Sequence, residues 1–567
     1  MKKTPRPFFI FLCFVLLSGI LSSCSGNSPT QEPVETTEET SAEGISVSAL
    51  SAYSVIYPES MNYPELKQPI GELLEAIRSV FGVSLAAHDD FVREGTDYAI
   101  SDYEILLGPT NREESLTVCR NVPKKDDYEI RLCGKKLVVA ANNEDALNAA
   151  IRALIGILTD EKKPSAVFFS PAQTLRFEGQ YEVGRLSVGG AELSDYTLVY
   201  QNTDVCKWFT ARIVSAAERG GYLLHTAPDS TDMPAGKRIF LGKTKAPLPP
   251  DLTASANEDD FYIGFYQGDL YLYGSTVSAV YHAVEPLLTA IEKASGESAD
   301  LALQNGRFTG VDTSLKAMSF NILCNQRTNA RDAAVIDTIR RNDPDTFGVQ
   351  EATPSWMTLL KNTFGDEYGV VGEGRNGGNS GEYSAIFYRK SRFNLIESGT
   401  QWLSETPTVK GSRMAGAEYP RIFTYAVLEC KDTGQRFIHL NTHTDHVPDQ
   451  SVDGAGVRLK QVQIITRFLE QNYPDLPTVI SGDLNDQKSS ASVQHLLASG
   501  YDHCADIALS SDKNPTFSNR VIDYLLYSHN DFFLYEYRVD TTSYPDGLNG
   551  ETASDHRAII VRYEIRP

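Results

Sequence analysis

Thr478-Val-Ile-Ser-Gly-Asp-Leu-Asn-Asp486 is a short apolar run that ends in a carboxylate, a carboxamide and a second carboxylate. Val479 and Ile480 are β-branched and lie just after Pro477, which favours a strand over a helix. Gly482 lets the backbone turn, so Asp483 and Asn485 are expected to emerge together at the mouth of a buried strand. An α/β protein places its chemistry at such strand ends. A turn in which Asp and Asn only cap the backbone has the same local sequence. The surrounding chain decides between the two readings.

The same design recurs through the last third of the chain. Leu315-Lys-Ala-Met-Ser-Phe-Asn-Ile-Leu323 alternates like a strand and carries Asn321 near its end. Val335, Ile336 and Ile339 then mark a helix over 331–341, stopped by Asn342-Asp-Pro344. Asp345-Thr-Phe-Gly-Val-Gln-Glu351 reads as a buried strand ending in Gln350 and Glu351, and a carboxylate there must find a cation or solvent, because burying it unpaired is expensive. Glu382 opens the strand Glu382-Tyr-Ser-Ala-Ile-Phe-Tyr-Arg389, and Phe437-Ile-His-Leu-Asn-Thr-His-Thr-Asp-His446 closes on His443, Asp445 and His446. Val521-Ile-Asp-Tyr-Leu-Leu-Tyr527 sets Asp523 in an apolar run, and Asp555 and His556 stand just before a final strand, Ala558 to Tyr563. A purely structural account needs a separate excuse for each of these groups, whereas one site explains them all.

Taken in order, Asn321, Gln350-Glu351, Asn441-Thr-His443, Gly482-Asp-Leu-Asn485, Ile522-Asp-Tyr524 and Ser554-Asp-His556 resemble the motif set of the endonuclease/exonuclease/phosphatase family, over residues 314–567. The resemblance implies an α/β fold, a C-terminal four-layered α/β sandwich of two mixed sheets flanked by helices, with the site at one edge of the sheets. It also implies metal-assisted attack of water on a phosphodiester or phosphomonoester, with Mg2+ as cofactor and Mn2+ as an alternative. Glu351 is then the metal ligand, joined by Asp483 and Asp555, and suits a hard ion through its oxygens. Asp483 positions or deprotonates the water, while Asn321 and Asn485 donate to phosphoryl oxygens. His556, oriented by Asp555, contacts the phosphate or helps to activate the water, and His443 protonates the leaving group. Transfer by resemblance also makes Glu382 the partner of His443 and gives Asp523 an orienting role near the metal. Arg458 and Gln461 look like a pair the family carries, with a buried ion pair expected for Arg458. Asp445 and His446 are left as supporting groups or a second metal position. His443 resembles the deoxyribonuclease, sphingomyelinase and deadenylase-like branches, and Ile522-Asp523-Tyr524 departs from the Cys-Asp-Arg of inositol-polyphosphate phosphatases.

The remainder of the chain is organised around this domain. Residues 1–23 carry two lysines and an arginine, then the apolar run Phe8 to Leu17, and read as a secretory signal. Leu21-Ser-Ser-Cys24 resembles a bacterial lipobox, which makes Cys24 the lipidated residue, and 24–43 is a Ser-, Thr-, Glu- and Pro-rich linker with little to bury. The expectation is an extracytoplasmic protein anchored by lipid to a bacterial cell membrane and standing off it as a monomer. Residues 44–183 and 184–308 read as two copies of one small α/β unit: Glu104-Ile-Leu-Leu-Gly108 matches Arg238-Ile-Phe-Leu-Gly242, and hairpins turn at Gly134 and Gly268, with closing helices over 146–158 and 277–291. These copies resemble accessory α/β domains of bacterial glycoside hydrolases, through Ile105 to Arg112. Tyr262, Tyr266, Tyr271 and Tyr273 could line a sugar platform, although aromatics alternating along strands more often pack across them. A glycan-binding surface lipoprotein with a degenerate hydrolase domain is the rival reading, disfavoured by the intact motif set. The formal charge of −22 argues against a broad grip on nucleic acid. The cysteines beyond Cys24 show no paired spacing, so a zinc site is not expected.

Overall fold

The computed structural model describes residues 44–61, 63–92, 100–160, 166–230, 232–250, 257–310, 312–447 and 456–567. The signal segment, Cys24 and the 24–43 linker lie outside the described residues. Two six-stranded sheets precede the C-terminal domain and share one topology. The first runs Ala87–Asp89, Ser54–Tyr57, Glu104–Leu107, Lys136–Ala140, Tyr128–Cys133, Leu175–Phe177; the second runs His225–Pro228, Tyr196–Tyr200, Lys237–Leu241, Asp269–Tyr273, Phe261–Tyr266, Gly306–Phe308. In each, the first four strands are parallel and the fifth is antiparallel to both neighbours. The closing helices also match: Asn143 accepts the Ala146 N–H to cap Glu144–Leu158, and Thr276 accepts the Ala279 N–H to cap Val277–Lys293.

The tyrosine stripe of the second copy is packing. Tyr262 and Tyr271 are buried with Val199 and Phe240, and Tyr266 and Tyr273 lie against the same cluster. Six cysteines, Cys119, Cys133, Cys206, Cys324, Cys430 and Cys504, are free thiols.

The C-terminal domain is a four-layered sandwich. One sheet runs Tyr368–Val371, Tyr383–Arg389, Thr346–Ala352, Leu315–Asn321, Ile559–Ile565, Phe532–Val539, Ser510–Ser511. The other runs Phe393–Trp402, Ile422–Cys430, Arg436–His443, Thr478–Asp483, Asp523–Ser528, Tyr501–His503. Apolar side chains from both, among them Ala317, Leu428, Val479, Leu525 and Val561, fill the space between the sheets. Helices Asn329–Asn342 and Pro354–Phe364 cover the outer face of the first sheet through Val335, Ile339, Trp356 and Leu360. Val457–Asn472 and Ala491–Ala498 cover the second through Val462, Ile465, Val493 and Leu496. Each helix presents its apolar residues at helical spacing, so burial of that stripe fixes its place.

The core of the second repeat continues into this domain. Phe533 and Tyr535 are buried in the same cluster as Phe209, Tyr281 and Val284, and Phe533 stacks on Tyr281 at 4.8 Å. Arg566 joins Glu285 and Glu292, both at 2.7 Å.

Candidate active site

Strand register brings the site together. Asn321 lies opposite Gln350 in the parallel pair of the first sheet. In the second, Asp483 lies opposite both His443 and Asp523. The central strands of both sheets thus deliver their polar ends to one edge. Between Val349 and Ala352 the register slips, and Glu351 takes a φ of +60° within that bulge. A left-handed glutamate costs about 1–3 kcal/mol, a strain typical of functional positions. Gly482 sits inside the strand rather than at a turn, and its requirement is spatial: a Cβ there would meet the Thr442 carbonyl oxygen at 2.4 Å.

Asp483 is the hub. Its Oδ2 accepts from Asn321 Nδ2 at 3.0 Å, and its Oδ1 accepts the Asn485 N–H at 2.8 Å. His443 Nε2 stands 3.5 Å and His556 Nε2 3.7 Å from Oδ2. Asn321 Nδ2 also donates to Glu351 Oε1 at 3.0 Å, and the Cys324 N–H reaches Glu351 Oε2 at 2.9 Å. Asn485 Nδ2 reaches His443 Nε2 at 3.0 Å. Asp483 and Asp523 are 1% exposed and Asn321 is fully buried.

A buried polar layer beneath the site ties the sheets together. Gln350 Nε2 donates to Asn441 Oδ1 at 2.7 Å, and Asn441 Nδ2 donates to the Val349 and Ala385 carbonyls at 3.0 and 2.9 Å. Ser481 Oγ donates to the same Asn441 oxygen at 3.1 Å. Gly348 makes room for this layer, since a Cβ there would lie 2.4 Å from Ser481 Oγ.

Residues 318–556 match the profile of the Endonuclease/Exonuclease/phosphatase family. The C-terminal domain belongs to this family. Among solved structures, an endonuclease/exonuclease/phosphatase family protein from Bacteroides thetaiotaomicron is 28% identical, with 44% of this chain and 97% of that chain covered and a TM-score of 0.41. A mannosyl-6-phosphatase from the same species is 27% identical, covering 44% of this chain and 100% of that chain, at a TM-score of 0.40. An endonuclease/exonuclease/phosphatase from Bacteroides vulgatus is 24% identical, covering 45% and 100%, at 0.41. No curated protein matches the chain.

Within the endonuclease/exonuclease/phosphatase domain, several partnerships differ from those the resemblance implies. Asp523, not Asp555, holds His556: its Oδ2 and Oδ1 lie 2.9 and 3.1 Å from Nδ1. Asp555 is exposed, and its Oδ1 receives the Ser554 hydroxyl at 3.2 Å. Antiparallel register sets Asp523 beside Asp483, and sequence adjacency to His556 is a poor guide because neighbouring side chains diverge. Glu382 pairs with Arg375 Nη1 at 2.6 Å rather than with His443. Arg458 forms the expected buried ion pair, with Asp486 at 2.8 Å, and Gln461 Oε1 accepts the Asp445 N–H at 2.8 Å. Asp445 is fully buried, accepting the Glu418 and Val447 N–H groups at 3.1 and 2.9 Å, while His446 meets Glu418 and Arg421 at 3.1 and 3.2 Å. The sequence did not single out Arg375 and Arg421 together. Arg421 is 5% exposed, its Nε has no hydrogen-bond partner among the described residues, and both arginines act electrostatically on His443.

These contacts set the charges. Burial, then Asp523, raises the Asp483 carboxyl above the ordinary carboxylate range, against the pull of His556 and the Asn485 and Asn321 N–H groups. Burial disfavours the His556 imidazolium, but Asp523, with Asp483 and Asp555, outweighs it and raises the group to about 10. Burial, followed by Arg421 and His556, holds His443 well below the usual imidazole range. Burial would raise Glu351, yet the Cys324 and Asn321 N–H groups hold it low.

Two donor sets could hold a cation. Asp483, Asp523 and His556 offer atoms within 4.8 Å of one another. A protonated histidine has no lone pair to give, so that trio is already compensated by its own imidazolium. Glu351 and Asp483 flank a single amide nitrogen, and their oxygens suit a hard divalent ion. Asp555 belongs to neither set.

Proposed function

We propose that this domain is a metal-dependent phosphoesterase that hydrolyses compact phosphodiesters with water as nucleophile. The observation that carries this reading is the convergence of Asn321, His443, Asn485 and His556 on the one buried carboxylate of Asp483. Glu351 and Asp483 would hold Mg2+ or Mn2+, which when bound offsets charge on the phosphoryl oxygens. Asp483, whose buried carboxyl lies beside Asp523 and is raised above the ordinary carboxylate range, takes the proton of the attacking water. His556, kept protonated by Asp523, presents Nε2 to the phosphate and supplies the proton to the leaving oxygen. His443, held neutral, hydrogen-bonds with Asn485 and steadies that amide against the phosphoryl group, in place of the acid role the resemblance gives it. Both Asn321 amide hydrogens go to Glu351 and Asp483, so Asn321 positions those two carboxylates, and Asn485 is the amide that donates to an oxygen on which charge develops.

Compact substrates follow from charge. Residues 315–567 contain 25 Lys and Arg against 32 Asp and Glu, a net of −7. Duplex DNA binding draws on many phosphate contacts, whereas a compact substrate presents one phosphate, which a bound cation and the Asn485 amide suffice to hold. Leu21 to Cys24 supports anchoring of the chain at a membrane surface through acylated Cys24.

The test is turnover of bis(p-nitrophenyl) phosphate, p-nitrophenyl phosphate, sphingomyelin, oligonucleotides and plasmid DNA by purified protein, with Mg2+, Mn2+ or chelator. Activity that survives chelation, or faster cleavage of plasmid than of every small diester and lipid, overturns the reading.

A further inference from the structure

The two repeats enclose a cleft of about 850 Å3, within the range of ligand pockets, about 300–1,000 Å3. It is a built junction. The Lys125 N–H donates to the Gly221 carbonyl at 2.7 Å, and Lys124 Nζ reaches the Gly184 carbonyl at 2.6 Å while lying 4.3 Å over the Tyr181 ring. Tyr181, in the segment joining the repeats, donates its hydroxyl to Asp127 at 2.9 Å.

The charges lining this cleft are unevenly satisfied. Glu178 pairs with Arg176 at 2.8 Å and Glu192 with Arg185 at 3.0 Å. Asp127 also accepts the Gly179 N–H at 2.9 Å, and Asp195 accepts the Glu192 N–H at 3.2 Å. Lys124 is committed to the Val183 and Gly184 carbonyls, and the remaining cations, Arg120 and Lys237, line the same cleft and form no ion pair among the described residues. In a chain of net charge −22, two exposed cations in one concavity without carboxylate partners, beside Lys124, mark a place for anionic groups from outside.

We propose that this cleft binds a short acidic saccharide. The lining is polar, so an apolar ligand gains nothing there. Tyr222 is fully buried and Tyr181 already carries Lys124, which leaves no open ring for a nucleobase to stack on. Interleaved carboxylates repel a run of phosphates but accept from sugar hydroxyls. The ligand that fits has few negative charges spaced among many hydroxyls.

Calorimetry on the full chain tests this with trigalacturonate, maltotriose and oligo(dT). Trigalacturonate is expected to bind at least about 10-fold more tightly than maltotriose, in a salt-sensitive manner. Arg120 and Lys237 are exposed, so Arg120→Glu with Lys237→Glu should preserve the fold and phosphoester turnover while weakening trigalacturonate binding about 10-fold or more. No binding of trigalacturonate, equal binding of maltotriose, tighter binding of oligo(dT), or undiminished binding by the double variant each refutes the proposal. None of these results bears on the catalytic reading, whose residues lie in the other half of the chain.

Discussion

Asp523→Asn isolates the pairing that the structure places at the centre of the site. The wild-type imidazole of His556 moves from 6.5 to about 10 in the fold. At about 1.4 kcal/mol per pH unit, that is on the order of 5 kcal/mol favouring the charged ring. Since the folded value lies above the unfolded one, this stabilisation is complete below pH 6.5 and is lost as pH climbs through about 10. The variant keeps the ring buried without its main carboxylate, leaving Asp483 and Asp555 to favour the charged form against burial, so the group should titrate at lower pH. Breaking a buried pair costs about 3–5 kcal/mol, so the melting temperature in chelator should fall at neutral pH. Turnover should fall about 10²-fold or more at the same pH. Wild-type kcat/KM should follow a bell whose acid limb belongs to Asp483, raised above the ordinary carboxylate range, and whose alkaline limb belongs to His556, raised above the ordinary imidazole range. In the variant the alkaline limb should move to lower pH. An alkaline limb that stays near its wild-type position, with an unchanged melting temperature, refutes the assignment of Asp523 as the group that charges His556.

Glu351→Gln should reduce metal-dependent turnover by about 10²- to 10⁴-fold without lowering the melting temperature, and calorimetric titration with Mn2+ should show weakened binding; near-wild-type turnover removes Glu351 from the metal site. Gly348→Ala places a Cβ 2.4 Å from Ser481 Oγ, and should destabilise the domain by about 1–3 kcal/mol in denaturant melts. Arg566→Ala leaves Glu285, 2% exposed, without its cation, and should cost about 3–5 kcal/mol, seen as a lower melting temperature for the unit that contains both the second repeat and the catalytic domain. Cys24→Ala should release the protein from the membrane fraction, and unchanged sedimentation with membranes excludes that anchor.

Strand ends were the legible part of this site. Apolar runs that stop at Asn321, Glu351, His443 and Asp483 identify the groups because a buried strand has no other reason to end in so many polar side chains. Which group meets which was not legible, because partnership depends on register between distant strands. Asp523 lies opposite Asp483 across an antiparallel pair, and that registry, invisible in local sequence, gives His556 its carboxylate. Glu382 likewise finds Arg375 because the intervening loop folds back, with the Arg375 N–H donating to the Glu382 carbonyl at 2.9 Å. The helix over 331–341 was recovered as Asn329–Asn342, with Asp343 closing it in a left-handed conformation.

The least legible feature is the one that sets the boundary between scaffold and catalytic domain. In the strand Phe532–Val539, Phe532, Leu534 and, beyond a bulge between Leu534 and Glu536, Tyr537 enter the core between the sheets. Phe533 and Tyr535 point the other way and are equally buried, at 0% and 7% exposed. A strand covered on both faces needs a second layer, and the second repeat supplies it through Trp208, Phe209 and Tyr281. Arg566 and Glu285 add a buried ion pair across that surface. Removing the repeats would expose two aromatic rings and strand a buried charge, so the second repeat is a structural layer of the hydrolase domain as well as one wall of the cleft.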